Sequence, residues 1–238
     1  MDSTTLLFGG GYLFFWGFAA FVNLWSVKIA KAMTEGGEGF GTLSSIFMAA
    51  ASLGMAVGFG FASWLLRKKI DLGWVPLGGL LMTISALALA WFPMGKAEAY
   101  LDLLDIGFLK FISYHSHESI FLMSLCVLAF SSAIFLAPMN AWMQDRYPAN
   151  KRGELQSAVN LQDCFAGIVA VVAIEVMFLI SKSLGMSELA GFRMQLIVVG
   201  SACGIMTVYV LRILPADFIR LFPRRIALEN KSLRHMIS

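Results

Sequence analysis

Six stretches of the sequence, residues 6–30, 43–66, 72–92, 119–143, 155–180 and 192–214, are apolar almost without a break. Each reaches the ~20 residues that a helix needs to cross the ~30 Å hydrocarbon core of a bilayer. Backbone in lipid has no water to satisfy its N–H and C=O groups, so runs of this length have one good solution, the helix. Barrel strands would be about half as long and would alternate in polarity. Composition agrees: 58% of residues are hydrophobic, only 14% are charged, and the mean hydropathy is +0.76. The fold class expected is therefore an all-α membrane protein with six transmembrane helices. Two regions follow: a six-helix transmembrane domain over residues 1–214 and a basic cytoplasmic tail over 215–238. The first run has no Lys or Arg before it and no cleavage signature, so it is expected to stay as a spanning helix.

Basic residues orient the bundle. With the N-terminus inside, twelve of the eighteen Lys and Arg residues fall in the inside segments, at positions 67–69, 146, 151, 152, 212, 220, 224, 225, 231 and 234. Six remain outside: Lys28, Lys31, Lys96, Lys110, Lys182 and Arg193. This asymmetry predicts both termini in the cytoplasm. The net charge of +3 is small, and its basic clusters sit beside apolar runs, which excludes a nucleic-acid surface as the reading of the charge. The tail is placed to lie on anionic membrane lipids.

The fifth run carries the sharpest polar pattern. Gln156, Asn160, Asp163 and Gly167 are spaced i, i+4, i+7 and i+11, so they share one helix face. Asp163 lies about 15 Å along a helix from Gly153, deep enough for an ionisable group to be costly unless it faces a polar interior. Two readings stand: a contact for a substrate or ion, or a hydrogen-bonding site that holds helices together. Asn23 and Asn140 are milder candidates of the same two kinds, and Glu175 lies about 100° off the stripe. In the second run, Gly54-x-x-x-Gly58 permits close backbone approach to another helix. The segment over residues 93–118 holds an apolar stripe of Leu101, Leu104, Phe108, Phe111 and Ile112, expected as an interfacial helix or as a helix capping the bundle.

Enzyme chemistry finds no foothold. No nucleophile elbow, phosphate loop or zinc motif is legible, and no cofactor is expected. His115-x-His117 lacks a third ligand and reads as a solvated loop, so no metal is expected either. Cys126, Cys164 and Cys203 fall inside apolar runs at wide spacings and read as buried small hydrophobes.

Two stretches carry a family resemblance. "GFGFASWLLRKKIDLGWVPLGGL", residues 58–80, resembles the loop between the second and third helices of a major facilitator half. "PMNAWMQDRYPANKRG", residues 138–153, followed by "NLQDC" at 160–164, resembles the corresponding later loop of the bacterial lysophospholipid transporter family. The versions it is most similar to are fused to acyltransferase and acyl-carrier-protein synthetase domains. The resemblance implies half of a major facilitator bundle, built of two three-helix inverted repeats. It implies a gating loop of Asp145, Arg146, Lys151 and Arg152, facing Arg67, Lys68 and Lys69, with Asn160 and Asp163 lining the pathway. Three departures are visible. The family has twelve helices, whereas six are counted in this sequence. The stretch 64–69 is wholly apolar or basic, where the family carries an acid. The sequence ends about 25 residues beyond the sixth run, where fused members continue into an acyltransferase.

The function so implied is movement of lysophospholipid across the bacterial inner membrane by alternating access. The partners implied are a lysophospholipid or similar amphiphile, membrane lipids, a second six-helix half or a second copy, and an acyltransferase. The alternatives are a transporter of another small amphiphile, or a non-transporting membrane module or split-gene remnant associated with a lipid acyltransferase. The charge asymmetry yields a direct expectation for topology. A cysteine placed at Ala149 should react with an impermeant thiol reagent only from the cytoplasmic side, and one at Ala97 only from the outside. The reverse labelling pattern would invert the bundle.

Overall fold

A computed structural model describes residues 3–67, 69–92 and 94–214, with side chains from residue 10 onward. The tail over 215–238 and Lys68 therefore lie outside the described residues. Six long helices match the six apolar runs: α1 (Ser3–Met33), α2 (Phe40–Leu66), α3 (Trp74–Trp91), α6 (Ser116–Arg146), α7 (Arg152–Ser183) and α8 (Glu188–Ile213). Two short helices, α4 (Ala97–Ile106) and α5 (Phe108–Tyr114), fill the long connection between α3 and α6. No strand occurs among the described residues. The spans alternate in direction, which places the N-terminus, the α2–α3 loop and the α6–α7 loop at one end. The α1–α2 and α7–α8 turns lie at the other, called here the capped end because α4 and α5 cover it.

The helices pair in a pattern that repeats. α2 packs on α6 and α1 packs on α7; α3 packs on α6 and α1 packs on α8; α3 also packs on α8. Exchanging α1 with α6, α2 with α7 and α3 with α8 carries each of these five pairings onto another, or onto itself for α3–α8, while the α1–α2 and α7–α8 contacts have no comparable counterpart. That is the relation expected of two three-helix repeats, α1–α3 and α6–α8.

Glycine sets how closely these pairs approach. A Cβ on Gly54 would lie 2.1 Å from the Cys126 carbonyl oxygen, and one on Gly58 would lie 2.7 Å from that of Phe130. The backbones of α2 and α6 are thus in direct contact, as the Gly-x-x-x-Gly spacing predicts. Cys126 Sγ donates to the Ala50 carbonyl at 2.8 Å across the same seam. α3 repeats the device: a Cβ on Gly78 would lie 2.5 Å from the Phe135 amide nitrogen. Lipid tails are as apolar as leucine, so such packing contacts, not hydrophobic transfer, hold the helices together.

Aromatic rings lock the capped end. Trp25 of α1, Phe47 of α2, Tyr100 of α4 and Phe121 of α6 are all buried. Phe47 meets Tyr100 edge-on at 5.1 Å and Phe121 at 5.6 Å, and Trp25 meets Phe121 at 6.4 Å. Trp25 Nε1 donates to the Phe192 carbonyl of α8 at 3.3 Å, so its polar edge is satisfied. The Tyr100 hydroxyl donates to the Met94 carbonyl. Burial, with the nearby Glu118 carboxylate adding to it, pushes the Tyr100 hydroxyl far above its ordinary pKa and keeps it a donor.

Local signals end the helices where the chain must turn. Gly107 separates α4 from α5 at φ 76°, ψ 160°, a conformation that suits glycine. Gly185 at φ 67° closes α7 while Met186 N donates back to Ser181 O at 3.0 Å. Ser187 then caps α8 by accepting from Ala190 N, with Glu188 in the first turn. Pro76 sits in the first turn of α3, where its missing N–H costs nothing.

The connection over 93–118 is two helices rather than one interfacial helix. Tyr100 and Phe111 are buried as a cap, while Leu104, Phe108, Leu109 and Ile112 are exposed. The capping role of the two expected is the one that the buried Tyr100 and Phe111 support. The closeness of the α2–α6 seam leads to a sharp expectation. Gly54→Val should lower stability by about 3 kcal/mol, because branched bulk must displace backbone rather than a side chain. Gly60→Ala, where nothing lies within 4 Å, should be neutral. Thermal unfolding of the purified chain in detergent reads the difference.

Candidate functional site

The polar stripe of α7 forms as a helix face, and its members differ in setting. Gln156 Nε2 donates to Asn160 Oδ1 at 3.1 Å, and both side chains are exposed. Asp163 is half-buried and makes no hydrogen bond or ion pair with the described residues. One turn further on, Ala166 is buried, followed by Ala170 and Ile174. Ala166 meets α1 at Gly17, where a Cβ would lie 3.7 Å from the Ala166 carbonyl oxygen. Asp163 therefore sits where the packed face of α7 gives way to its open face.

The other sequence candidates do not join this stripe. Asn23 Nδ2 donates to Ala19 O of its own helix at 3.0 Å. It lines a cavity of about 100 Å³ between α1, α2 and α6, with Ser52 and Ser132. Asn140 accepts from Gln144 Nε2 at 3.1 Å, again within one helix. Neither asparagine bridges helices through these bonds.

The loop between α6 and α7 is a short 3-10 turn, Ala149–Lys151, between two helix ends. Asp145, Arg146, Lys151 and Arg152 are exposed, as are Arg67 and Lys69. The Arg146 guanidinium stacks over the Trp142 ring at 5.1 Å. Among the described residues, no Lys or Arg of either loop is ion-paired with a carboxylate. Asp71 instead accepts from Gly73 N at 3.1 Å and shapes the α2–α3 turn. His115 Nε2 lies 3.3 Å from Asp102 Oδ2, a pairing between the start of α6 and α4. No cluster of metal-ligating side chains is present among the described residues.

Sequence reasoning missed a second polar system, at the capped end. Lys28 of α1 pairs with Glu175 of α7. Its ammonium also lies 5.5 Å from the Phe178 ring centre. These positions are roughly 8 Å and 12 Å inside their helix ends. Lys28 borders a pocket of about 480 Å³ with Lys31, Glu35, Glu188, Phe178 and Phe192. Toward the N-terminal end, α1, α7 and α8 enclose an apolar groove of about 650 Å³, floored by Gly10 and Gly17 and walled by Ala170, Ala173 and Ala202. Glu175 was visible as an intramembrane acid. Its partner was not, since Lys28 reads as a helix-flanking cation and lies 147 residues away in sequence.

Residues 3–171, well over half of the chain, match the family model of the Major Facilitator Superfamily. Comparison with curated proteins and with solved structures returns no match. The Lys28–Glu175 pair joins α1 to α7 in a setting where an unpaired charge is costly. Lys28→Met and Glu175→Gln should each destabilise the purified protein, and the double variant should recover part of the loss. A double-mutant cycle on thermal unfolding should give a coupling of about 1 kcal/mol or more; additive effects would mean the pair holds nothing.

Proposed function

The chain belongs to the major facilitator superfamily of membrane transporters, and from that premise we propose that it moves lysophospholipid across the bacterial inner membrane. In this reading both termini are cytoplasmic and the capped end faces outward. The observation that carries the transport reading is Asp163: a half-buried carboxylate within a long apolar helix, without a partner among the described residues and on one face with Gln156 and Asn160. A carboxylate at that depth is tolerated where it meets a polar interior. Alternating access rocks one six-helix half against another around a site between them. We therefore place the α7 stripe at that contact, with a second six-helix unit, another chain or a second copy, supplying the opposite wall.

The exposed charges of the α6–α7 and α2–α3 loops fit the same arrangement. Arg67, Lys69, Arg146 and Arg152 are free to meet acids of the opposite half when the cytoplasmic side closes, and Asp145 and Glu154 to meet its cations. An acyltransferase that consumes the imported lysolipid is the partner implied downstream. The substrate class rests on the resemblance of residues 138–164 to lysophospholipid transporters, and the largely apolar walls of the bundle suit a single-chain amphiphile.

Asp163→Asn should cut lysolipid flux in reconstituted vesicles while leaving the protein folded, because the amide keeps shape and hydrogen bonding but loses the charge. Asp163→Leu should cut it further. Unchanged flux in Asp163→Asn would place the group outside the pathway.

A further inference from the structure

The cap has two sides of opposite chemistry. On α4, Glu98, Asp102 and Asp105 are exposed and spaced i, i+4 and i+7, so they share one face. Glu98 borders a pocket of about 270 Å³ with Glu35 and Glu38 of the α1–α2 turn. Asp102 holds His115. This acidic side suits water. α5 reads Phe-Leu-Lys-Phe-Ile-Ser-Tyr and carries no acid. Only Phe111 turns inward; Phe108, Leu109 and Ile112 are exposed along one side, Leu109 at 84%. Leu104, at the end of α4, and Tyr114, at the end of α5, are exposed beside them. An apolar patch of this kind marks a surface that something covers.

Two observations say what covers it. The first is its level. α3 has 18 residues, about 27 Å, close to the ~30 Å of a hydrocarbon core, and it has a tryptophan at each end. Trp91, 86% exposed, thus marks the membrane interface at the capped end. Gly95, four residues further on, lies against α6: a Cβ there would come 2.6 Å from Glu118 Cγ. The start of α6 therefore stands just above the level of Trp91, and α5 enters α6 through His115 alone. The second is continuity. Leu80, Ile84, Leu87 and Trp91 form an exposed ridge along α3, and Ile120, Met123 and Val127 form one along α6. These two helices pack together, and both ridges run up to the cap. The exposed face of α5 prolongs a surface that lipid already wets. A second six-helix unit is the poorer fit, because α7, where that unit is placed, packs on α1 and α8, whereas α5 adjoins α6.

We propose that α5 is a membrane-surface anchor. It lies in the headgroup region of the leaflet at the capped end. Phe108, Leu109 and Ile112 enter the acyl boundary, Tyr114 stays at headgroup level, and Lys110 extends its ammonium toward lipid phosphates. The partner is the bilayer as a surface, not a single bound molecule, so the proposal stands apart from any transport activity. Its consequence is mechanical. The inward face of the same helix places Phe111 in the core, so lipid holds the cap from one side while the aromatic cluster holds it from the other.

The test uses the full chain in nanodiscs of phosphatidylcholine and phosphatidylglycerol. The background is Cys164→Ser, since Cys126 is bonded to Ala50 and Cys203 is buried. Leu109→Cys, Ile112→Cys, Glu98→Cys and Asp105→Cys each receive an environment-sensitive fluorophore. Labels at 109 and 112 should emit to the blue of those at 98 and 105. They should lose emission to a lipid bearing a nitroxide near the head of its acyl chain, and not to aqueous iodide. Labels at 98 and 105 should show the reverse. Leu109→Asp combined with Ile112→Asp should move a label at Leu104→Cys from lipid quenching to iodide quenching. The thermal midpoint should hold, because both side chains are exposed. Iodide quenching at 109 equal to that at 98 would put the patch in water and overturn the proposal. So would a label at 109 that neither quencher reaches, which would mean that protein covers the patch.

Discussion

The direct contact of helix backbones at α6 is the constraint on which the rest of the bundle depends. Apolar side chains gain nothing by leaving lipid for one another, so the helices associate through close packing and a few polar contacts. Gly54, Gly58 and Gly78 supply it by removing the atoms that would keep α2 and α3 away from Cys126, Phe130 and Phe135. Once α6 is wedged between α2 and α3, the first repeat is tied to the second. The aromatic cluster around Phe121 then fixes the level at which the helices meet.

The α1–α7 pair is looser, and that is where polarity accumulates. α1 meets α7 through Gly17 and Ala166 at ordinary contact distance, with nothing as close as the α2–α6 seam. Small residues on both sides of that contact, Gly10, Ala170, Ala173 and Ala202, leave space that no side chain fills. The same half of the structure carries the α7 stripe, the Lys28–Glu175 pair and the unpartnered Gln195. A tightly packed scaffold of α2, α3 and α6, which α8 joins where Gly79 meets Thr207, thus stands beside a more open contact of α1 with α7. Rigid support next to loosely packed, polar helices is the distribution that a moving or binding protein needs.

Legibility in the sequence followed the range of the interaction. The six spans were readable because length and hydropathy act within one segment, and lipid leaves the backbone no alternative. The α2–α6 contact was half readable: Gly54 and Gly58 announce a close approach, but nothing in their spacing names α6 as the partner. The α7 stripe was readable as a face because helix period is local. What it faces was not, since Asn23 and Asn140 turned out to bond within their own helices. Lys28 was read only as a topology signal, because a lysine near a helix end looks the same whether it reaches water or a glutamate on another helix. Gln195 gave no signal at all. An amide within an apolar run reads alike with partners or without, and only its burial in three dimensions makes it unusual.

The two polar systems of α7 lie about 100° apart around the helix and at different depths, which separates their roles on physical grounds. Asp163 lies half-buried toward the N-terminal end of α7, with no hydrogen-bond or ion-pair partner among the described residues. Lys28 and Glu175 neutralise each other nearer the capped end, so their charges are already satisfied without a further protein unit. A group that is unsatisfied in the six-helix unit looks outward for its partner, while a group satisfied within it serves that unit alone. A second half should therefore change the surroundings of Asp163 and leave the α1–α7–α8 groove as it stands.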